Sequence, residues 1–273
     1  MTTIAFLGPA GTFSEMAALS LGLPETDPLA CTSIAEVFEA VERGKAALGV
    51  VPIENSIEGS VTATLDALAF DTTLEIQREL VLDIRFSLVA APGTALADIT
   101  EVIAHPQAGG QCRRWIDRNL PGRSVIAANS NAEAVQTAVV TPGAAAVGPA
   151  LAAEIYGAEV LEDGVQDYAG NQTRFVLIGR GIQPPTGHDK TSLALFMKKD
   201  KPGALLMILS EFAYADINLT KIQSRPTKRQ LGDYMFFVDL EGHVEDPSVR
   251  LALDCLRLKL REVKVLGSYP KAV

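Results

Sequence analysis

A run of hydrogen-bonding side chains after a buried apolar segment is the strongest sign of a binding site in this sequence. The segment Gly49–Val61 reads GVVPIENSIEGSV, and apolar residues give way at Pro52 to carboxylate, amide and hydroxyl groups. Polar side chains at the carboxyl end of a strand lie where α/β proteins bind ligands. An ordinary strand-to-helix loop, with Ser60 as the helix cap, fits the stretch equally well. The polar side chains are those of Glu54, Asn55, Ser56, Glu58 and Ser60.

A second polar run, Asn171–Phe175 with the sequence NQTRF, favours the binding interpretation. Thr173 and Arg174 stand where a new strand is predicted to begin. A planar guanidinium at a polar strand edge suits the binding of a carboxylate through two hydrogen bonds. Acids outnumber bases heavily in this part of the chain, so a salt bridge to one of them is the alternative role for Arg174.

Two further polar loops stand between predicted strands and helices. Gly8–Ser14, GPAGTFS, lets the backbone approach a ligand, and the helix start offers N–H groups to an anion. The loop matches neither a dinucleotide fingerprint nor a phosphate-binding loop, and a tight turn with a Thr12 cap explains it alone. Ala104–Cys112, AHPQAGGQC, has no second histidine nearby, which argues against zinc or a nucleophilic triad. We expect His105 to cap or orient, and Cys112 to be a small buried hydrophobe.

Length and charge bound the remaining possibilities. The 273 residues suffice for two domains, and no apolar run approaches the roughly 20 residues of a membrane span. Residues 1–189 carry a net charge of −13 and residues 190–273 a net charge of +4, which argues against nucleic acid binding in the first part. The three cysteines match no metal spacing, so reduced thiols in a cytoplasmic protein are expected.

The first part of the chain alternates short apolar strands with capped helices, which predicts an α/β fold with a largely parallel sheet. Thr12, Ser33 and Ser130, each three residues before a glutamate, fit capping boxes, and Pro106 and Pro149 suit first helical positions. We expect two lobes and a cleft between them, built from residues of about 1–79 with 160–182, and 80–159. The predicted strands are 4–7, 47–52, 74–82, 86–90, 101–104, 123–127, 144–147, 159–162 and 174–179.

The last part of the chain has a different pattern. A linker at Gly181–Gly187 precedes it, and residues 190–273 predict the order βαββαβ of a ferredoxin-like unit. The predicted strands are 191–197, 217–224, 233–239 and 263–267. The predicted helices run from Ala204 to about Tyr214 and, with Asp246 as cap, from Pro247 to about Leu260.

Taken together, the motifs resemble those of the prephenate dehydratase family. GPAGTFS, VPIENSIEGSV, HPQAGGQC, NSNAEA and NQTRF occur in order, and a segment that resembles an ACT regulatory domain follows, with KPGALLMIL, INLTKIQSRPTK and a terminal LGSYP. The resemblance implies a two-lobed, periplasmic-binding-protein-like catalytic domain over 1–182 and an ACT domain over 190–273. It also implies a homodimer or homotetramer. The sequence shows no site for a metal or an organic cofactor, and we predict none.

The resemblance implies conversion of prephenate to phenylpyruvate with loss of water and carbon dioxide. Thr173 matches the family's catalytic threonine, and we expect its hydroxyl to donate a hydrogen bond to the departing oxygen. Glu54 is a candidate acid, if burial raises its pKa. We expect Arg174 and backbone N–H groups near Thr12 or Ser56 to hold the substrate carboxylates. The further substrate-binding candidates are Asn55, Gly59, Gln111 and Phe175.

The ACT resemblance implies feedback control by L-phenylalanine. The expected binding residues are Gly203, Ala204, Leu205, Ser224 and Arg225. In the catalytic part, Ala104 stands where many members have serine, so the hydroxyl expected there is absent. In the ACT segment, Gln223 replaces the acid of the usual ESRP motif, so the regulatory response is less firmly implied than the catalytic activity. Arogenate as the substrate, or a non-catalytic amino-acid sensor, are the alternatives.

Overall fold

The computed structural model describes residues 2–23, 26–199, 201–230 and 232–272. The chain divides into two compact units. The first consists of Met1–Val61 and Val81–Phe175, and the second of Thr62–Leu80 and Val176–Val273. Residues 62–79 and 176–182, which the sequence analysis assigned to the first lobe, therefore belong to the second unit by this division.

One sheet of the first unit is built on strand β1 (Thr2–Leu7), which pairs in parallel with β2 (Thr26–Cys31) and with β3 (Leu48–Asn55). The first residues of β11 (Gln172–Gly179) lie beside β3, as the sequence pattern suggested. Strand β2 was not predicted. It contains Asp27 and Pro28, and it forms the edge of the sheet, where a proline costs no ladder hydrogen bond.

A second sheet of the first unit has the strand order β10-β6-β9-β7-β8. Strand β7 pairs in parallel with β8 and β9, whereas β6 runs antiparallel to β9 and β10. The placement of β10 corrects the predicted lobe boundary, because the chain stays in this sheet beyond residue 160. The strands are β6 (Ser87–Ala90), β7 (Glu101–Ala104), β8 (Ser124–Ala127), β9 (Ala144–Gly148) and β10 (Glu159–Asp163).

The helices of the first unit start where the caps predict, with two differences of detail. The Thr12 hydroxyl accepts from the Glu15 N–H, but the Glu15 carboxylate accepts from the N–H of Gly11 and not of Thr12. The carboxylates of Glu36 and Glu133 likewise accept from the N–H of the residue before the cap. Pro149 is the N-cap of its helix and not the first helical residue. The helices are α1 (Phe13–Ser20), α2 (Ile34–Glu42), α4 (Pro106–Gln111), α5 (Arg113–Asn119), α6 (Asn131–Val140) and α7 (Ala150–Tyr156), with a 3-10 turn at Leu96–Asp98.

Two chain segments connect the sheets of the first unit, and they are bonded to each other. The Ile84 N–H donates to the Asn171 carbonyl at 2.7 Å, and the Val165 N–H donates to the Phe86 carbonyl at 2.9 Å. The prediction of two α/β lobes joined by two crossings is confirmed, and the fold of this part is the periplasmic-binding-protein type.

The second unit contains the predicted βαββαβ order in a sheet that is antiparallel throughout these four strands, in the order β13-β14-β12-β15. Helices α8 and α9 bury Ile208, Phe212 and Leu256 in its core. The elements are β12 (Asp189–Phe196), α8 (Ala204–Tyr214), β13 (Leu219–Pro226), β14 (Tyr234–Glu241), α9 (Pro247–Lys259) and β15 (Glu262–Pro270). The ferredoxin-like ACT fold is thereby confirmed.

The segment Thr62–Leu80 adds a short helix and part of a strand to the second unit. Helix α3 (Thr62–Asp66) continues into a π-helical turn at Ala67–Asp71, and a two-residue strand, β4 (Gly59–Ser60), precedes it in the first unit. Strand β5 (Glu75–Asp83) then pairs with β15 in parallel, with Ile76 opposite Gly267. No helix among the described residues is long and apolar enough to cross a membrane.

Candidate active site

A cavity of about 520 Å³ lies in the first unit and is lined by loops from both of its sheets. The loops after β1, β2, β3, β7 and β8 follow the carboxyl ends of their strands, where α/β folds bind ligands, and Asn171, Thr173 and Phe175 lie at the start of β11. Of the sequence candidates, the structure brings Thr12, Asn55, Gly59, Gln111, Thr173 and Phe175 into this lining. The polar motifs that are far apart in the sequence therefore form one site.

Three helices begin at the wall of this cavity. Phe13 opens α1, Ile34 opens α2 and Asn131 opens α6, and all three line the cavity. The first N–H groups of a helix lack partners within it, and the helix dipole is positive at that end, so each start attracts an anion. No lysine or arginine is among the described residues that line the cavity. Negative charge would be held here by helix ends and polar side chains.

Thr173 lies in the lining and is 8% exposed. Its Oγ1 accepts a hydrogen bond of 2.9 Å from Asn55 Nδ2. Because an amide N–H can only donate, this contact leaves the Thr173 proton available for another acceptor. A hydroxyl so placed can donate to an oxygen atom of a molecule in the cavity.

Side-chain amides connect Asn55 with the opposite lobe. Asn55 Nδ2 donates to Asn171 Oδ1 at 2.8 Å, and Asn171 Nδ2 donates to Gln111 Oε1 at 2.7 Å. Gln111 Nε2 in turn donates to Glu58 Oε1 at 3.2 Å. Glu58 is the one carboxylate among the described lining residues. The sequence analysis named neither Glu58 nor Asn171 as a site residue, although both stand within the quoted motifs.

Two predicted site residues, Glu54 and Arg174, lie outside the cavity lining. They form an ion pair of 3.6 Å with each other. Successive side chains of a strand point to opposite faces, so residues adjacent to Asn55 and Thr173 face away from the cavity. The salt-bridge alternative for Arg174 is correct. Glu54, with 37% of its side chain exposed, is not the buried acid that the sequence analysis suggested.

Ser56 has a structural role in place of the predicted one. Its hydroxyl accepts from the Gln172 N–H at 2.9 Å, and its own N–H donates to the Gln172 carbonyl at 2.8 Å. Ser56 is exposed and outside the lining. It holds the start of β11 against β3 and thereby fixes the backbone next to Thr173.

His105 lines the cavity, but its side chain does not cap α4, contrary to expectation. Burial lowers the pKa of His105, and the nearby charge of Glu58 opposes that effect. Burial therefore favours the neutral imidazole. Burial also raises the pKa of the neighbouring Cys112 thiol to about 12, and Cys112 is fully buried, as expected of a small hydrophobe.

The predicted regulatory residues of the second unit fall into two places. Gly203, Ala204 and Leu205 line a cavity of about 390 Å³ together with Met197 and Phe236. Ser224 and Arg225, on β13, lie outside this lining. Arg225 Nη2 instead donates to both carboxylate oxygens of Asp66, at 2.7 and 2.8 Å. Of the two ACT motifs quoted in the sequence analysis, the first lines this cavity and the second does not.

Comparisons with known proteins agree with this fold. The family model for prephenate dehydratase matches residues 4–183, and the model for the ACT domain matches residues 191–254. A curated prephenate dehydratase of Mycolicibacterium vanbaalenii is 45% identical, over 99% of this chain and 91% of its own.

Solved structures give the same result with one variation. The structure of prephenate dehydratase from Arthrobacter aurescens in complex with L-Phe has a TM-score of 0.91 and 39% identity, and the match covers 98% of this chain and 90% of that one. A protein described as a novel type of quorum quenching acylase, GqqA, has a TM-score of 0.89 and 32% identity, with 98% of each chain covered. On the family match and the relatives' identity, this chain belongs to the prephenate dehydratase family.

Proposed function

We propose that this protein converts prephenate to phenylpyruvate in phenylalanine biosynthesis and that the cavity of the first unit is its active site. One observation carries the assignment of the site: the Thr173 hydroxyl, in the cavity, accepts from Asn55 and keeps its proton for a ligand. Family membership supports the reaction itself, because curated relatives that cover nearly the whole chain are named prephenate dehydratase.

The lining suits a substrate with two carboxylates. Thr12 uses its hydroxyl within the protein, where it donates to the Leu7 carbonyl at 2.9 Å and accepts from Glu15, so its region would bind substrate through backbone N–H groups. The starts of α1, α2 and α6 offer such groups from both lobes. Arg174 has no part in this proposal because its guanidinium pairs with Glu54 outside the lining.

The chemistry needs little covalent assistance. When the ring carboxylate leaves as carbon dioxide, its bonding electrons enter the ring and expel the ring hydroxyl, which gives an aromatic product, carbon dioxide and hydroxide. The hydroxide takes up one proton to become water. Thr173 would donate a hydrogen bond to this departing oxygen and so stabilise its developing charge in a site of fixed dipoles.

Regulation and assembly follow from family membership as further parts of the proposal. We assign residues 1–182 to catalysis and 190–273 to feedback control, with L-phenylalanine bound at the cavity that contains Gly203, Ala204 and Leu205. The Arthrobacter aurescens structure in complex with L-Phe supports this effector. We further propose a cytoplasmic homodimer or homotetramer that turns over without an added metal or organic cofactor.

The decisive experiment measures phenylpyruvate that appears from prephenate, with the full chain at several substrate concentrations. Thr173→Ala should lower kcat by about 100-fold or more and leave the fold intact, because an oxyanion contact of this kind supplies about 2.7–4 kcal/mol. Thr173→Ser should keep much of the rate. Near-normal turnover by Thr173→Ala would remove this residue from the mechanism.

Two alternatives are tested with the same preparation. Arogenate in place of prephenate distinguishes the substrates, and prephenate turnover excludes a non-catalytic sensor. The likeness to GqqA makes an acylase assay a third comparison. Two results together would overturn the proposed function: the wild type forms no phenylpyruvate from prephenate, and both the wild type and Thr173→Ala show acylase activity.

A further inference from the structure

The side-chain amides around Thr173 have a fixed direction of hydrogen bonding. Asn55 Oδ1 accepts from the backbone N–H groups of Ile57, at 2.9 Å, and Glu58, at 3.0 Å. Backbone N–H groups can only donate, so the oxygen of the Asn55 amide must face them and its nitrogen must face the other way. That nitrogen lies 2.8 Å from Asn171 Oδ1 and 2.9 Å from Thr173 Oγ1.

The direction is set independently at the other end of the network. The Glu58 carboxylate, when ionised, can only accept, so Gln111 must present its nitrogen to it, at 3.2 Å. The Gln111 oxygen then faces Asn171, whose nitrogen donates to it at 2.7 Å. Both ends require the same orientation of the central amide. Asn171, which is 3% exposed, therefore has one acceptor and one donor, each with a required partner.

We propose that Asn171 is a positioning residue which joins the two ends of this network, holds the Asn55 nitrogen against Thr173 and thereby keeps the Thr173 hydroxyl a hydrogen-bond donor to substrate. The inference rests on the proposed function, since it concerns the group that would contact the departing oxygen. Asn171 acts through Asn55. The Asn171 oxygen accepts from the Asn55 nitrogen and holds it in place, and the same nitrogen donates to the Thr173 hydroxyl oxygen. A general loss of packing would not have this directional signature.

One substitution can reverse the Gln111 half of the network, and a second can give the reversed half a complete set of hydrogen bonds. Asn171→Asp keeps an oxygen toward Asn55 but replaces the donor toward Gln111 by an acceptor. Gln111 must then turn, and its oxygen meets the Glu58 carboxylate. Repulsion between the Gln111 oxygen and the Glu58 carboxylate should displace Gln111 and residue 171, loosen the hold on Asn55 and so lower kcat by about 10- to 100-fold. Glu58→Gln supplies a donor to the turned Gln111, so the double variant regains a complete set of hydrogen bonds.

The test compares kcat and KM for prephenate in the wild type, Glu58→Gln, Asn171→Asp and the double variant. Glu58→Gln alone should cost about two- to tenfold, as for one altered hydrogen bond. The double variant should have a kcat about tenfold higher than that of Asn171→Asp and close to that of Glu58→Gln. The effects of the two substitutions on kcat would then be non-additive, as is usual for residues of one hydrogen-bond network. Gln172→Glu is the matched control: it is the same amide-to-acid change at the next residue of the chain, but the Gln172 side chain bonds exposed Asp83 and no member of the network.

A pH profile gives an independent readout. Protonation of the carboxylate that Asn171→Asp introduces turns it into a donor toward Gln111, so the kcat of this variant relative to wild type should rise as the pH falls, and the double variant should show less of this rise. His105, which faces Glu58, is present in both proteins of the first comparison. Absence of rescue by Glu58→Gln would overturn the inference while an active wild type upholds the proposed function. If Asn171→Asp does not fold, the double variant decides alone: a folded, active protein supports the inference, and an inactive or unfolded one refutes it. A wild type inactive on prephenate refutes the proposed function and the inference with it.

Discussion

Arg225 Nη2 lies 2.7 and 2.8 Å from the two carboxylate oxygens of Asp66, and Lys228 Nζ lies 2.9 Å from the same carboxylate. Asp66 ends α3, whose first residue, Thr62, follows directly on Val61 of the cavity lining. The Arg225–Asp66 ion pair thereby joins β13 of the ACT fold to helix α3, which follows the cavity lining in the chain. This pair gives Arg225 a role that differs from the predicted contact with an effector.

Asp66→Asn should lower the free energy of unfolding and weaken inhibition by phenylalanine. The carboxylate is 14% exposed and serves two cations, so its loss should cost about 1–3 kcal/mol. Urea unfolding measures the first effect, and the phenylalanine concentration for half inhibition measures the second.

Glu39→Gln is the control for that substitution, because Glu39 pairs with Arg43 on an exposed helix face, where ion pairs contribute about 0–1 kcal/mol. An Asp66→Asn protein as stable as this control, with unchanged inhibition, would show that the Arg225 contact is incidental.

Glu54→Gln should retain most of the wild-type turnover of prephenate. The Glu54 side chain pairs with Arg174 outside the cavity, at 3.6 Å, so it touches no substrate in the proposed mechanism. The substitution should also change the free energy of unfolding by only about 0–1 kcal/mol, since the carboxylate is 37% exposed. A loss of kcat as large as that of Thr173→Ala would make Glu54 a candidate acid again.

The sequence predicted most strands and helix starts because their signals are local. Apolar runs and Ser or Thr caps depend on residues within a few positions of each other. Strand β2 was missed for the opposite reason. Its sequence, TDPLAC, lacks a strand pattern, and only its place beside β1 makes it a strand.

The sequence could predict several residues of the site but not which side chains face the cavity or how they bond to one another. The motifs named Thr173 and Asn55, but the hydrogen bond between them joins residues 118 positions apart. Which neighbours face the cavity depends on the strand's orientation, so Glu54 and Arg174 were named together with Asn55 and Thr173 although they lie outside the lining. Asn171 was overlooked because its importance comes from two partners, Asn55 and Gln111, that only the folded chain brings together.

Gly267→Ala should destabilise the protein. A Cβ atom at this position would stand 2.5 Å from the Ile76 carbonyl oxygen, closer than any real contact, and backbone atoms cannot yield as a side chain does. Overpacking of this kind costs about 1–3 kcal/mol. Gly110→Ala is the control: it lies in α4 with open space around its Cβ position, and alanine should stabilise that helix by up to about 1 kcal/mol. Equal urea midpoints for the two variants would contradict the close approach.

Cys255 should react with iodoacetamide in the native protein, and Cys112 should not. Cys255 is partly exposed, whereas Cys112 is fully buried. Burial raises the pKa of Cys112 to about 12, and the charge of Asp167 adds to this, so almost no reactive thiolate exists near neutral pH. Mass spectrometry of the labelled peptides checks the order, and Cys112 should become labelled only in denaturant. Modification of native Cys112 at the rate of Cys255 would contradict the burial.

His105 should make the free energy of unfolding fall as the pH drops below 6.5. Burial lowers the pKa of His105 in the folded protein below its ordinary value of 6.5, so the unfolded chain binds a proton more readily. Linkage then requires that stability is full above 6.5 and is lost as the pH falls through the lower, folded pKa. His105→Gln, which cannot titrate, should lack this part of the loss. Urea unfolding at about pH 7.5 and about pH 5.5 measures it, because that interval brackets an ordinary histidine.

The comparison of wild type with His105→Gln isolates one histidine, because His188 and His243 are present in both proteins and cancel. The wild type should lose more stability between the two pH values than the variant. The opposite sign would mean that the Glu58 charge, which raises the pKa of His105, outweighs burial. Glu58→Gln separates these two causes, since removal of that charge should lower the His105 pKa further and enlarge the loss of stability at acid pH.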